Sequence, residues 1–262
     1  MSSLFALCFA GPAAPAIAGA FLAPPGDGEI ITATSFSDTT RAFDASGKLL
    51  PVSSYKKFDL ESYIEYGLTS RVTLVLKPGV DVVHQAGQTG PPAAASSDLG
   101  ARIGLLDWGS TILSIQGLLH APFASSSKRM ALFDEDRAPG ADLRLLLGHG
   151  FSIARLPSFL DLEASHTWRG DGLPQEWHAD VTFGIRPQPQ ILIMLASYMT
   201  VAGNRSADCT SWRVCWMSVK LQPSIVYDVS LHWSAQAGFF ATVAGQNAGR
   251  ELGPTAALWY RF

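Results

Sequence analysis

The clearest strand in the sequence is Phe58-Asp59-Leu60-Glu61-Ser62-Tyr63-Ile64-Glu65-Tyr66-Gly67-Leu68. Apart from Ser62, one face of this stretch carries apolar side chains, and the other face carries three carboxylates, a tyrosine and a glycine. Successive side chains of a strand point to opposite faces, so a period of two over eleven residues predicts a strand between two different environments. This alternation decides the fold class because the rest of the chain repeats it.

Twelve strands are predicted from this alternation. They lie near residues 29–43, 55–68, 71–84, 98–106, 110–121, 140–151, 158–168, 175–186, 190–201, 212–227, 231–244 and 252–262. Short turns fall at Thr69-Ser70, Asp107-Trp108-Gly109, Leu156-Pro157-Ser158, Pro187-Gln188-Pro189 and Asp228-Val229-Ser230, and longer loops near residues 44–54, 85–97, 122–139, 169–174, 202–211 and 245–251. Alternating short and long connections predict an all-β fold, a single closed antiparallel transmembrane β-barrel with short periplasmic turns and longer extracellular loops.

The charged residues indicate which face of this barrel is inside. Sixteen charges in the predicted strands lie on the polar faces, and none lies on the apolar faces of those strands. A lipid-facing exterior imposes this rule, because a cation at mid-bilayer costs about 2–4 kcal/mol. Ten of the sixteen are predicted to line the lumen: Asp59, Glu61, Glu65, Lys77, Asp81, Arg102, Arg144, Glu163, Asp180 and Arg186.

Two further features favour a lipid-facing exterior. The polar faces are rich in glycine, which a crowded lumen tolerates and a solvated strand face disfavours. Aromatic residues also gather at strand ends, as in the two interfacial girdles of membrane barrels. The predicted girdle residues are Tyr66, Trp108, Trp168, Trp177, Tyr198, Trp216, Tyr227, Trp233, Trp259, Tyr260 and Phe262.

The start of the chain predicts a signal peptide over residues 1–18, which leaves residues 19–262 as the barrel. A short apolar core precedes Ala16-Ile17-Ala18, a small-x-small cleavage motif. The basic n-region of such a peptide is missing, since the first cation is Arg41. The rival interpretation is a membrane helix over residues 4–23, and two prolines in its middle argue against it.

The end of the chain is Leu258-Trp259-Tyr260-Arg261-Phe262. A last strand that is apolar on one face and closes on an aromatic residue is typical of bacterial outer-membrane barrels. We therefore predict that Leu258, Tyr260 and Phe262 form a C-terminal assembly signal for the barrel-assembly machinery.

Composition narrows the function classes further. Net charge is −3 over 262 residues, which argues against nucleic acid as a partner. Cys209 and Cys215, with five residues between them, either form a disulfide in an oxidising compartment or remain as thiols. No ligand spacing predicts a metal site, and no cofactor is expected.

Residues 57–74, with Tyr66-Gly67-Leu68-Thr69 at the turn, resemble a hairpin that recurs in the phenol meta-pathway transporter-like barrel family. Leu160-Asp161-Leu162-Glu163-Ala164 and the ending at Phe262 fit the same resemblance. The resemblance implies the outer membrane of a Gram-negative bacterium and a role in moving small hydrophobic or aromatic molecules.

The predicted function is a narrow, monomeric, porin-like passive channel for small solutes, with outer-membrane lipid around it. Lumen charges must pair to offset desolvation, and we expect Lys77 to meet Glu61 and Glu65, and Glu163 to meet Arg144 and Asp180. Ten of the sixteen charges are acidic and six basic, a net of −4 that predicts weak cation preference. A structural or partner-binding barrel without transport is the alternative. No enzyme is predicted: a lipid hydrolase is disfavoured because Ser165 and His166 point to opposite faces of one strand.

Overall fold

The computed structural model describes residues 19–85, 93–125, 138–203 and 215–262, and these residues form strands and turns without a helix. The strands are β1 (Gly28–Phe43), β2 (Leu49–Thr69), β3 (Val72–Gln85), β4 (Ala93–Asp107), β5 (Thr111–Ser125), β6 (Gly140–Ile153), β7 (Leu156–Arg169), β8 (Glu176–Gln188), β9 (Ile191–Gly203), β10 (Cys215–Asp228), β11 (Trp233–Gln246), β12 (Ala248–Gly249) and β13 (Leu252–Arg261). Over the described residues, no helix is long and apolar enough to cross a membrane.

The sheet closes on itself. Each strand from β1 to β10 pairs antiparallel with the next, and β1 also pairs with β13, whose other neighbour is β11. The two residues of β12 pair with the end of β1, so β12 and β13 together complete one interrupted strand of the barrel. The predicted closed antiparallel barrel of twelve strands is confirmed, and the short β12 is an addition to it.

Several connections differ from the sequence prediction, including two of the predicted long loops. The predicted long loop at residues 44–54 is a tight turn over residues 44–48, because Oδ1 of Asp44 accepts hydrogen bonds from the Ser46 hydroxyl and from the Ser46 and Lys48 amides. These bonds, the Ser46 hydroxyl first, hold the pKa of Asp44 below its usual value. The predicted loop at residues 245–251 is mostly strand, with Asn247 at a positive φ between β11 and β12.

The turn between β6 and β7 lies two residues earlier than predicted. Ala154 and Arg155 both have positive φ, as the central residues of a type I′ hairpin turn do. The predicted turn residues Leu156, Pro157 and Ser158 instead begin β7. Without Gly or Asn at residues 154 and 155, the sequence carries no signal for this turn type.

The apolar faces of the strands are on the outside of the barrel. Phe58 and Leu60 are 44% and 43% exposed, whereas Arg102 on a polar face is 1% exposed. The ten steps from Phe58 to Leu68 cover about 33 Å of strand, and a tilt of about 40° gives an apolar band about 25 Å tall. This height matches the hydrocarbon band of outer-membrane barrels.

Two charged residues, Lys56 and Asp38, break the predicted rule that no charge lies on an apolar face. Lys56 is on the outside of β2, where it pairs across the strands with Asp38 at an Nζ–Oδ2 distance of 4.0 Å. The pair lies two residues beyond Phe58 toward the β1–β2 turn, so it marks an edge of the apolar band. Within the band, the outward hydroxyls of Thr32 and Ser62 bond each other at 2.9 Å, which satisfies both away from water.

Three of the predicted girdle aromatics point inward. Tyr198 lies between Asp180 and Lys220 on the polar face, and Trp216 shares a face with the buried Glu176 through Ala202. Trp259 is 2% exposed and packs in an apolar cluster inside the barrel. A position at the end of a strand therefore does not determine whether an aromatic side chain faces the exterior or the lumen. The cross-strand register determines this.

Candidate functional site

The candidate site is the lumen, where charged side chains form clusters. Arg102 on β4 contacts Glu65 at 2.6 Å, Gln116 at 3.0 Å and the phenol of Tyr63, and it also bonds the Phe21 carbonyl at 2.8 Å. These acceptors surround a side chain that is 1% exposed. A buried guanidinium is stable only with such a set, because its five N–H donors need partners.

A second cluster centres on Arg144 on β6. Its guanidinium donates to Glu163 and to Asp180 at 3.0 Å, and its Nε lies 3.5 Å from Asp142. Glu163 and Asp180 are direct cross-strand partners, and the cation between them offsets their repulsion. The structure thus brings together the three residues that the sequence placed next to one another.

A third cluster centres on Lys77 on β3. Its Nζ lies 3.8 Å from Glu61 and 3.6 Å from Asp98, and His120 in turn approaches Asp98 at 2.6 Å. The expected contact of Lys77 with Glu65 is absent among the ion pairs of the described residues, because Glu65 pairs with Arg102 instead.

The remaining predicted residues lie apart from these clusters. Asp59 meets Lys57 at 2.9 Å, and Asp81 lies directly opposite Asp59 across β2 and β3. Arg186 contacts Asp228 at 2.8 Å. Three further ion pairs involve residues that were not predicted from the sequence: Glu29 with Arg261 at 2.8 Å, Glu251 with Lys220 at 2.7 Å, and Arg169 with Glu176.

The largest omission from the sequence analysis is a segment inside the barrel. Residues 19–27, here the N-terminal segment, precede β1 and lie within the lumen at the short-turn end, the end that carries the β2–β3 and β4–β5 turns. Ala20 receives a hydrogen bond from Ser114 at 2.8 Å and donates one to Asp161 at 3.0 Å. Farther along, the Ala23 amide donates to Thr73 at 3.0 Å.

Glycines on the polar faces make room for this segment. A Cβ at Gly67 would lie 2.0 Å from the Pro24 carbonyl oxygen, one at Gly104 would meet Leu22, and one at Gly148 would meet Phe21. A Cβ at Gly67 would meet the backbone of the segment and displace it, whereas a Cβ at Gly104 or Gly148 would force side chains of the segment to shift. The predicted crowding of the lumen is real, and its cause is an inserted piece of the same chain.

The opposite side of the short-turn end is filled by apolar side chains. Trp259, Leu192 and Val226 form a buried cluster, and partly buried neighbours on β1, β7, β9 and β13 pack against it. The indole N–H of Trp259 donates to Gln236 at 3.0 Å, so its polar atom is satisfied. The N-terminal segment and this cluster together narrow the lumen at this end.

A polar cavity of about 280 Å³ lies nearer the opposite end of the lumen. It is lined by Lys77, Asp98, Leu118, His120, Ala138, Gly140, Asp142, Arg144, Thr167, Arg169, Glu176 and His178. Three carboxylates face three permanent cations and two imidazoles, so the lining alternates in sign and carries little net charge.

Comparison with known proteins bears on the fold. No protein-family model matches the chain, and no curated protein matches it in sequence. Among solved structures, the COG4313 outer membrane channel from Pseudomonas putida F1 has a TM-score of 0.74 at 16% identity, covering 92% of this chain and 97% of that one. The chain has the fold of an outer-membrane β-barrel.

Two more distant structures support the same architecture. The β domain of the Bordetella autotransporter BrkA has a TM-score of 0.54 at 13% identity, covering 90% of this chain and all of that one. The KdgM porin has a TM-score of 0.52 at 8% identity, covering 89% and 99%. At these identities the likeness concerns the fold, which channels and an autotransporter domain share.

The hydrolase alternative gains no support from the geometry. Ser165 and His166 point to opposite faces, as predicted from their adjacency, and His166 packs outside between Trp168 and Trp177. The cross-strand partner of Ser165 is His178, whose Nδ1 is 3.1 Å from the Thr200 hydroxyl and whose Nε2 is 3.3 Å from Glu176. Both nitrogens are occupied, so neither is placed to activate Ser165.

Other predicted sites are placed as follows. Cys215 is disulfide-bonded, while its predicted partner Cys209 lies outside the described residues. Within the described ranges, no group of His, Cys, Asp and Glu side chains could hold a metal ion. Leu258 and Phe262 face outward at the short-turn end, and the Tyr260 ring lies 4.6 Å from that of Trp233, so the three residues of the predicted assembly signal share the exterior. Their role in assembly remains a prediction.

Proposed function

We propose that this protein resides in the outer membrane of a Gram-negative bacterium as a monomer and passes small solutes through a narrow, charged lumen. The observation that carries the proposal is the polar cavity, whose charged walls lie inside a closed barrel with an apolar exterior. A barrel with only a structural role needs no such cavity, and burying its charges would cost stability.

The lining of the cavity favours small polar or zwitterionic solutes. Lys77, Arg144 and Arg169 stand among Asp98, Asp142 and Glu176, so a solute that carries both charges finds partners for each. Aromatic or hydrophobic solutes, which the family resemblance implies, would meet only Leu118 and Ala138 as apolar contacts there. Alternating charges also hold water, which opposes the entry of apolar molecules.

The N-terminal segment sets the constriction in this proposal. Its Phe21 and Leu22 lie against Gly148 and Gly104 across the lumen wall, at the end opposite the cavity. Solute that crosses the barrel between the cavity and the short-turn end must pass this segment, so displacement of the segment increases the flux.

Single-channel recording and liposome swelling test the proposal. We expect the native chain to give a low conductance and slow uptake of small solutes, and the double variant Phe21→Ser, Leu22→Ser to raise both. Leu231→Ser is the matched control, since Leu231 lies at the same end in an exposed turn outside the lumen. If neither the native chain nor the double variant passes ions or small solutes, the channel is refuted.

A structural or partner-binding barrel is the second candidate. The filling of the short-turn end by the N-terminal segment and the Trp259 cluster favours it, because both reduce the open cross-section. The same recordings separate the candidates: a structural barrel remains closed in both chains, although it folds normally.

A further inference from the structure

Asp161 on β7 is a buried carboxylate that faces into the lumen, and it is 3% exposed. Its direct cross-strand partners are Gly148 and Thr182, which are neutral. Throughout residues 19–85, 93–125, 138–203 and 215–262, no cation forms an ion pair with it. A buried carboxylate without a cation is costly, so its surroundings call for a positive charge.

The charged groups near Asp161 do not supply that charge. Glu65 and Glu163 are near enough to act on it and are themselves acidic. Arg102 is the nearby cation, but its guanidinium is committed to Glu65, to Gln116 and to the Phe21 carbonyl. The hydrogen bond that Asp161 does accept comes from the backbone amide of Ala20, at 3.0 Å.

Gly19 lies directly against this carboxylate. A Cβ on Gly19 would lie 2.2 Å from Oδ2 of Asp161 and 2.7 Å from Oδ1, so no other residue fits there without a shift. Given standard bond lengths, the Gly19 nitrogen is within about 5 Å of Oδ2. Because a hydrogen bond spans about 2.7–3.2 Å, a shift of about 2 Å at a free N-terminus is enough to make this contact.

The sequence places a cleavage motif immediately before Gly19. Ala16 and Ala18 satisfy the small-x-small rule for signal peptidases, which makes Gly19 the first residue of the mature chain. We propose that the chain is hydrolysed between Ala18 and Gly19, and that the α-ammonium released on Gly19 pairs with Asp161 and anchors the N-terminal segment in the lumen.

The chemistry of this step balances with water as the co-reactant and a signal peptidase as the catalyst. The amide bond between Ala18 and Gly19 breaks, and the water oxygen completes the carboxylate of Ala18. Both water protons go to the Gly19 nitrogen, which becomes an ammonium at neutral pH. An uncleaved chain has a neutral amide at this place, so processing creates the cation that Asp161 lacks.

The first test is the intact mass of the protein purified from outer membranes, and we expect a chain that starts at Gly19. The second test is the pH midpoint at which the Gly19 amine reacts with an acylating reagent, followed by mass spectrometry. A free α-amine has its midpoint near about 7.7–8.0. Because an opposite charge stabilises the protonated form, we expect the native midpoint to be at least about one pH unit higher than that of Asp161→Asn.

Asp27→Asn is the matched control, since it removes a carboxylate from the same segment at an exposed position and should leave the midpoint unchanged. If Asp161→Asn fails to fold, a native chain with one alanine added before Gly19 replaces it, and its displaced amine should titrate in the ordinary range. A mature chain that starts elsewhere overturns the proposal, as does a native midpoint equal to that of Asp161→Asn or of the extended chain. None of these readouts depends on transport, so a closed channel leaves them intact.

Discussion

Replacement of Arg102 by methionine tests the energetic argument about the lumen. The side chain is 1% exposed, and its removal leaves the Glu65 carboxylate, which is 4% exposed, without its cation. Removing one partner of a buried ion pair typically costs about 3–5 kcal/mol, because the remaining charge stays desolvated. We expect Arg102→Met to lower the free energy of unfolding by that amount.

Lys220 and Glu251 provide a matched comparison within the same lumen. Their ion pair is 2.7 Å long, but the two side chains are 32% and 28% exposed, so water screens the charge that is left behind. Partly exposed pairs contribute about 0–1 kcal/mol, and we expect Lys220→Met to cost no more than that. Equilibrium urea unfolding of the refolded protein in detergent micelles, followed by tryptophan fluorescence, measures both losses.

The double variant Arg102→Met, Glu65→Gln separates desolvation from packing. Removal of the unpaired Glu65 charge should restore part of the lost free energy of unfolding, since an amide in place of the carboxylate no longer needs a cation. Losses that agree within about 1 kcal/mol for Arg102→Met and Lys220→Met would refute the reasoning. So would a double variant that is less stable than Arg102→Met alone.

Three further predictions concern the segment, the exterior and the permeating ions. Gly67→Val would place a Cβ 2.0 Å from the Pro24 carbonyl oxygen, so we expect it to displace the segment and raise single-channel conductance, whereas Gly79→Ala, with its nearest neighbour at 3.7 Å, should not. Leu60→Arg on the lipid-facing band should cost about 2–4 kcal/mol in urea unfolding from lipid vesicles, and Val229→Arg in an exposed turn about 0.5 kcal/mol or less. Reversal potentials in a salt gradient should show weak cation preference, and clear anion preference would contradict the predicted net charge of the lumen.

The barrel itself was predictable because lipid imposes a strict rule on sequence. Residues 58–68 alternate without a charge on the outer face, and a lipid-facing exterior demands this of every strand. Strand positions followed from the same alternation, and most boundaries agree to within a few residues. Turns were less predictable: residues 44–48 are held by side-chain hydrogen bonds of Asp44, and such bonds leave no periodic signal.

Pairing within the lumen was predicted correctly for Arg144, Glu163 and Asp180 on β6, β7 and β8, and only in part for Lys77 on β3. The β2–β3 register is the expected one, since Glu61 opposes Gly79 and Ile64 opposes Leu76. Glu65 nevertheless pairs with Arg102 on β4 and not with Lys77. A cross-strand rule considers one hairpin at a time, whereas long side chains inside a barrel choose among carboxylates on several strands. Partner choice therefore depends on the curvature of the wall, which the sequence does not encode locally.

The inserted segment gave no strand signal because it is not a strand. Ala20, Phe21, Leu22 and Ala23 are consecutive apolar residues, and Pro24 and Pro25 have no amide hydrogens to satisfy inside the lumen. A short run of this kind next to a cleavage motif is indistinguishable from the end of a signal peptide. The informative signal was in the lumen wall. Its polar faces otherwise carry long charged side chains, but residues 67, 104 and 148 are glycine. Glycines on the inner faces of β2, β4 and β6 mark a place where the lumen wall must admit another backbone, and this pattern is detectable from sequence once the inward face is known.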